Sequence, residues 1–236
     1  MNVLVLLRLS DDYIEDELNP LIIANAIRQS YENVNIDCLT MDRNEAIKRI
    51  ERCSDYPIRN FYLLSDEKFA GADTFLTATI ISRFLMKYKY DIVIGNYKSR
   101  FGETAHVPVS IASILNIPFA SNVVSISVGE SLSCVQRLDY FNEVINMKSP
   151  CVITCSNILS DDLVFLGMPN MFNVKENMPD IHIINAEEIR FEKNEKINVF
   201  SQVVQADRIQ SRHKERQEVF DVDMARKVLS ENINIY

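Results

Sequence analysis

The chain has 236 residues, of which 47% are hydrophobic and 25% are charged, and its formal net charge is −8. This length and composition are typical of one globular domain with a large core, and the negative charge gives no electrostatic support to a nucleic-acid role. No run of about 18 apolar residues predicts a membrane span, and Met1-Asn2 leads into a predicted strand rather than a secretory signal.

The cysteines indicate a reducing environment. They are odd in number and include no Cys-x-x-Cys pair, at Cys38, Cys53, Cys134, Cys151 and Cys155. Free thiols in the cytoplasm are the simplest interpretation. No histidine or second cysteine pair supports a metal site at Cys151 and Cys155, which fall in one predicted strand. We therefore expect a cytoplasmic protein without a metal centre.

The first half of the chain alternates between short apolar runs and amphipathic segments. The apolar runs predict strands at residues 2–7, 35–40, 60–64 and 91–94. The amphipathic segments predict helices at residues 21–29, at 44–53, from Asp73 or Thr74 to Tyr88, and from Val107 or Pro108 onward. Strands that alternate with helices favour a parallel sheet with right-handed crossovers.

After Pro118 the pattern changes to short β-rich segments. Residues 122–128, 134–140 and 143–148 predict an antiparallel meander, and residues 150–155 predict a strand of the main sheet. The apolar, aperiodic segment 157–185 indicates packing either in the core or in a subunit interface. Residues 208–216 are dense in charge and precede a predicted helix at 223–231, typical of a partner-clasping arm or a frayed terminus. We predict an α/β domain at 1–190, with its meander at about 122–148, and an arm at 191–236.

The loop after the fourth predicted strand is a candidate ligand site. It lies at the carboxyl end of a parallel strand and leads into a helix, whose free N–H groups and dipole favour an anion. Three of the five glycines, Gly71, Gly95 and Gly102, lie in this part of the chain. Because no G-x-G-x-x-G or P-loop motif occurs, the pattern fits either a phosphate site or ordinary strand-to-helix turns.

Residues with catalytic chemistry are scattered. The histidines are His106, His182 and His213, and no serine lies in a nucleophile elbow. The absence of a catalytic set favours a carrier or binding protein over an enzyme. Redox cofactors bring their own chemistry, so an electron carrier is compatible with this sequence.

Two motifs resemble the β subunit of electron-transfer flavoproteins. The first is D-x-x-F-A-G-A-D-T-x-x-T-A at Asp66–Ala78, and the second is the loop Gly95–Val107, which ends in G-E-T-A-H-V. Val3-Leu4-Val5 followed by Arg8 also resembles the first strand of that family. The pattern departs from the family at Phe101, where an acid is usual, and at Pro108, where a glycine is usual. The Pro-, Arg- and Tyr-rich partner-docking loop of the family is not recognisable in residues 157–177.

The resemblance implies a mostly parallel, Rossmann-like sheet flanked by helices, with an antiparallel β extension and a C-terminal arm. It also implies a heterodimer with an α subunit, which shares FAD with the β subunit, while the β subunit holds AMP or a second FAD. Such a heterodimer carries electrons between flavoprotein dehydrogenases and acceptors. A non-redox adenine-nucleotide-binding or scaffold module, or a relative whose pocket is filled by residues such as Phe101, are the alternatives.

By position, the resemblance assigns a set of cofactor-binding residues. Adenine and ribose would be lined by Leu6, Asn19, Pro20 and Met41. The phosphate would be held by Gly95, Asn96, Ser99, Glu103, Thr104, Ala105, His106 and Val107. Tyr13 matches an aromatic residue that touches the flavin of the α subunit in some members, or is an exposed loop tyrosine.

Overall fold

The computed structural model describes residues 1–9, 18–98, 105–129, 131–157, 159–161, 164, 167–168 and 179–192. Within these residues nine strands form one sheet: β1 (Asn2–Leu6), β2 (Asn35–Met41), β3 (Ile58–Leu64), β4 (Ile92–Asn96), β5 (Phe119–Val128), β6 (Leu132–Arg137), β7 (Asn142–Met147), β8 (Cys151–Cys155) and β9 (Asp180–Ile184). Their order is β7-β6-β5-β8-β4-β1-β2-β3-β9. In this spatial order, all neighbouring strands on the path β5-β8-β4-β1-β2-β3-β9 pair in parallel. The other two pairs, β5 with β6 and β6 with β7, are antiparallel. The predicted α/β class, the meander and the return of β8 to the main sheet are confirmed.

Helices flank both faces of the sheet. In the described residues these are α1 (Asn19–Ser30), α2 (Ile47–Ile50), α3 (Thr74–Lys87) and α4 (His106–Leu115). The segment predicted as a helix at 44–53 contains only one α-helical turn, flanked by 3-10 turns at Asn44–Ala46 and Glu51–Cys53. None of these helices is long and apolar enough to cross a membrane.

The core consists of two layers, one on each face of the sheet. Side chains along a strand alternate between faces, so Val3 and Val5 pack with Ile27 of α1, while Leu4 packs with Phe84 of α3 and Ile111 of α4. The sheet therefore separates α1 and α2 from α3 and α4.

The start of α3 shows how a local signal fixes an element. Asp73 has extended backbone, and its carboxylate accepts a hydrogen bond from the Leu76 N–H at 2.8 Å. This is the N-cap interaction that a short acidic side chain makes at a free helix end. Of the two predicted starts of this helix, Asp73 and Thr74, it is therefore Asp73 that caps it.

The sequence pattern does not predict β9. This strand pairs with β3 from Asn60↔Asp180 to Leu64↔Ile184. The chain after it is held by the Asp66 carboxylate, which accepts from the Ala186 N–H at 3.0 Å, and by Phe69, whose ring lies 5.7 Å from that of Phe191. The first residues of the Asp66–Ala78 motif thus bind the chain that follows β9. Residues 193–236 lie outside the described residues, so the domain boundary and the C-terminal arm stay predictions.

A buried acidic residue lies on the face of the sheet that α3 covers. Asp37 of β2 is 1% exposed and accepts from Arg59 Nε and Nη2 at 3.0 and 2.7 Å. It also accepts from the backbone and side-chain amides of Asn60 at 3.1 and 3.0 Å, and from the Tyr90 hydroxyl at 3.0 Å. Five donors offset the loss of water around this carboxylate.

Candidate functional site

The direction of the chain across the sheet reverses at β1 and β4. From β1 the chain proceeds to β2 and β3, and α3 then returns it to β4 on the other side of β1. Strands β1 and β4 pair in parallel from Val3↔Ile92 to Val5↔Ile94. In open α/β sheets, ligands bind outside the carboxyl ends of the strands at such a switch point. The candidate site therefore lies beyond Leu6 and Asn96.

Two helices begin at this edge, one on each face. Leu18 precedes α1 and Ala105 precedes α4, and neither side chain has an oxygen that could cap the helix. The first turn of each helix lacks acidic residues. Their first backbone N–H groups have no partner within the helix and carry the positive end of the dipole. Both helix starts therefore favour an anion at the switch point.

The backbone around the start of α4 is constrained. Ala105 has φ 55° and ψ 9°, a left-handed conformation that costs a residue with a Cβ about 1–2 kcal/mol. A Cβ added to Gly95 would lie 3.1 Å from Pro108 Cγ and 3.9 Å from Leu6 Cβ. The end of β4 thus approaches the first turn of α4 so closely that glycine is the residue that fits without displacement. Strained backbone of this kind is frequent at ligand sites.

Half-buried apolar side chains lie at the same edge. Leu6, Met41 and Val107 are partly buried and pack against the core layer of α3 and α4. Ala72, from the loop after β3, belongs to the same group. A half-open apolar surface beside two anion-favouring helix starts suits a ligand with a planar base and a phosphate. Sequence reasoning did not select Ala72, although it lies in the motif between Gly71 and Asp73.

Two of the predicted polar residues bind the chain at the end of β8. Asn19 Nδ2 donates to the carbonyls of Ser156 and Asn157 at 3.2 and 3.3 Å. Asn96 Oδ1 accepts from the Cys155 thiol at 3.1 Å. The end of β8 is therefore part of this site, and the sequence indicated it only as an apolar run that ends in Cys155.

The remaining predicted residues divide into two groups. Pro20 is buried in the first turn of α1, where its missing N–H costs nothing, and His106 is exposed at the first position of α4. Tyr13, Ser99, Glu103 and Thr104 lie outside the described residues, as does Phe101. The structure thus brings one end of the predicted phosphate loop, Ala105–Val107, to the edge where Leu6, Asn19 and Met41 also lie.

Comparison with known proteins agrees with this arrangement. The sequence model of the electron transfer flavoprotein domain matches residues 11–162, which is more than half of the chain. The chain belongs to the electron transfer flavoprotein family. The matched range includes α1, both motifs and β8, whereas β1 with Leu6 precedes it and β9 follows it.

Several electron transfer flavoprotein β subunits are relatives of this chain. One from Thermoanaerobacterium thermosaccharolyticum is 34% identical over 137 residues, which cover 57% of this chain and 51% of the relative. One from Clostridium acetobutylicum is 32% identical over 124 residues, covering 52% and 42%. The caffeyl-CoA reductase-Etf complex subunit CarD of Acetobacterium woodii is 30% identical over 148 residues, covering 62% and 56%. The chain thus spans about half the length of the curated relatives it matches.

Proposed function

We propose that this chain is the β subunit of a heterodimeric electron transfer flavoprotein. It binds an adenine nucleotide, either AMP or a second FAD, at the carboxyl edge of β1 and β4. Together with an α subunit it forms the site of a shared FAD, and the heterodimer carries electrons between flavoprotein dehydrogenases and their acceptors. In this role the chain is a carrier subunit rather than an enzyme, and it acts in the cytoplasm.

The observation that carries the proposal is the convergence at the switch point. Two helices without side-chain caps begin there, and the half-buried side chains of Leu6, Met41, Ala72 and Val107 lie at the same edge. The positive helix ends suit a phosphate, and the apolar side chains suit the face of an adenine ring. The chemistry of these groups fits an adenine nucleotide.

Each part of the site has a distinct role in this proposal. Leu6 and Met41 contact the adenosine, and the backbone N–H groups of His106 and Val107 donate to the phosphate. His106 adds positive charge near that phosphate when it is protonated. Gly95 lets α4 approach the end of β4, so that its N–H groups reach the ligand. Residues between Asn96 and Ala105 complete the phosphate loop.

The partner and the redox role are inferred from the family. The name of the Acetobacterium woodii relative describes a subunit of a complex between a reductase and an electron transfer flavoprotein. A flavin accepts and releases electrons, so the protein needs to supply binding, orientation and a suitable environment. This chain would supply the nucleotide site and one wall of the flavin site. Tyr13 would contact the flavin from that wall.

Co-expression with an α-type electron transfer flavoprotein subunit tests the proposal. The expected result is a 1:1 complex that contains flavin and that releases an adenine nucleotide or a second FAD on denaturation. Absorbance gives the flavin content per heterodimer, and chromatography of the released nucleotide distinguishes AMP from FAD. If the chain remains alone and releases no nucleotide, the proposal is wrong.

The second candidate is an adenine-nucleotide-binding or scaffold module without a redox role. It is favoured by Pro108, which replaces the usual glycine of the family and is buried in the first turn of α4. Because both candidates bind a nucleotide, only assembly with an α-type subunit distinguishes them. A purified chain that binds AMP but forms no flavin-containing complex with any α-type subunit would support the module over the carrier.

A further inference from the structure

Helix α1 is fastened at two places to the chain that follows β8. We refer to residues 156, 157, 159–161, 164, 167 and 168 as the post-β8 segment. In the first turn of α1, Asn19 Nδ2 donates to the carbonyls of Ser156 and Asn157. Nearly two turns later, Asn25 Nδ2 donates to the carbonyls of Gly167 and Met168, both at 3.1 Å. Two side-chain amides thus hold one segment along the helix.

The contact at Gly167 is between two backbones. A Cβ added to this residue would lie 2.1 Å from the Ile22 carbonyl oxygen and 2.5 Å from Ile22 Cγ2. Such distances are far inside van der Waals contact. The post-β8 segment can therefore lie this close to α1 only with glycine at position 167.

Asn25 is a buried polar residue whose side-chain N–H groups are hydrogen-bonded and whose side-chain oxygen, within the described part of the chain, is not. The residue is 1% exposed, and no donor among the described residues reaches its Oδ1. An unpartnered buried acceptor lowers stability, and an apolar side chain of similar size would avoid that loss. The two hydrogen bonds from Nδ2 are therefore the contribution that asparagine makes at this position.

The post-β8 segment is also tied to the sheet. The Ser156 N–H donates to the Val123 carbonyl at 2.8 Å, and the Ser160 N–H donates to the Val124 carbonyl at 3.0 Å. The segment therefore has a fixed position relative to β5, and it transmits that position to α1 through the asparagine amides.

We propose that Asn25 and Gly167 are positioning residues for the nucleotide site. They hold the post-β8 segment on α1, and the carbonyls of Ser156 and Asn157 then hold Asn19 and the first turn of α1 at the carboxyl edge of the sheet. This inference rests on the proposed nucleotide binding at that turn. Because linkage is reciprocal, a bound nucleotide in turn stabilises the post-β8 segment.

Titration of the full chain with AMP tests the positioning role. Asn25→Asp keeps the shape of the side chain but places carboxylate oxygen against the two carbonyls, and Gly167→Ala inserts a Cβ against Ile22. The matched control is Ser30→Ala, which removes a hydrogen bond at the other end of α1, from Ser30 Oγ to the Ala26 carbonyl at 2.9 Å. At a temperature where circular dichroism shows each variant to be folded, AMP should bind about tenfold more weakly to the two test variants and unchanged to the control.

Hydrogen exchange of the unmodified chain gives a second readout that needs no variant. Saturating AMP should increase the protection of peptides that contain Ser156, Asn157, Gly167 and Met168. Equal AMP affinity in all folded variants, or unchanged protection of these peptides, would overturn the inference even though AMP binds. If the unmodified chain binds neither AMP nor FAD, the proposed nucleotide site itself is wrong and the inference falls with it. Should both test variants fail to fold, the exchange measurement decides alone.

Discussion

Replacing Gly95 by alanine tests whether the close approach of β4 and α4 builds the phosphate site. The added Cβ would lie 3.1 Å from Pro108 Cγ, whereas carbon atoms prefer a separation of about 3.5 Å or more. The first turn of α4 must therefore move by about 0.4 Å relative to the strand. Overpacking of this kind costs about 1–3 kcal/mol, partly offset by the lower entropy of unfolded alanine, about 0.4–1 kcal/mol.

The same displacement would shift the N–H groups of His106 and Val107 relative to the phosphate that they are proposed to bind. A loss of about 1.4 kcal/mol in binding corresponds to a tenfold increase in Kd, and we expect an effect of that size for AMP. Isothermal titration calorimetry measures the affinity, and urea unfolding measures the stability. The two measurements separate a displaced site from a generally weakened fold.

A double variant makes the test specific. Pro108→Ala removes Cγ, and the remaining Pro108 Cβ lies at 3.8 Å from the added atom, which is an ordinary contact. Gly95→Ala combined with Pro108→Ala should therefore bind AMP more tightly than Gly95→Ala alone, with Pro108→Ala as the control. The non-additivity measures the steric coupling. The reasoning is refuted if Gly95→Ala binds AMP normally, or if the double variant shows no recovery.

Three further predictions concern stability and thiol chemistry. Burial, with the nearby Asp37 carboxylate, raises the pKa of Tyr90 well above its usual range. The neutral phenol therefore stabilises the fold below about pH 10, and this stabilisation is lost as the pH rises further. In urea unfolding from pH 8 to 11, the free energy of unfolding of Tyr90→Phe should fall less steeply with pH than that of the unmodified chain, and an equally steep fall would contradict this. Burial raises the pKa of Cys134 to about 12 and that of Cys151 to about 11, so both thiols should react with a disulfide reagent at pH 8 only after unfolding, which rapid labelling of the native chain would disprove. Asp73→Ala removes the cap of α3 and should lower the free energy of unfolding by about 1 kcal/mol, with Asp73→Asn as the control that keeps an acceptor.

Local chemistry made much of the fold predictable. Four apolar runs alternated with amphipathic segments, and the sheet contains each of the corresponding strands. Asp73 identified the start of α3 because N-capping depends on a side chain and a backbone amide three residues apart. By contrast, residues 44–53 had a helical pattern but form only one α-helical turn between 3-10 turns. A short segment with few intrahelical bonds depends on its surroundings for its conformation.

The sequence indicated the candidate site as a loop and a helix start, but not as a set of neighbours. Ala72 lies between motif residues, yet nothing in its identity shows that it packs against the same core layer as Leu6 and Met41. Asn19 was expected to line the adenosine, and the structure shows its amide bound to the carbonyls after β8. An amide can donate to ligand or to backbone, and only the position of distant carbonyls determines which partner it has.

The sequence alone determined the alternation of strands and helices, the meander and the family resemblance, because these depend on periodicity and on residues close together in the chain. Tertiary structure alone decided the strand order with its reversal between β1 and β4, the addition of β9 beside β3, and the attachment of Gly167 to α1. These features join residues that are far apart in the chain, such as Val3 with Ile92 and Asn60 with Asp180. They form only when burial of both sheet faces offsets the entropy of closing such long loops.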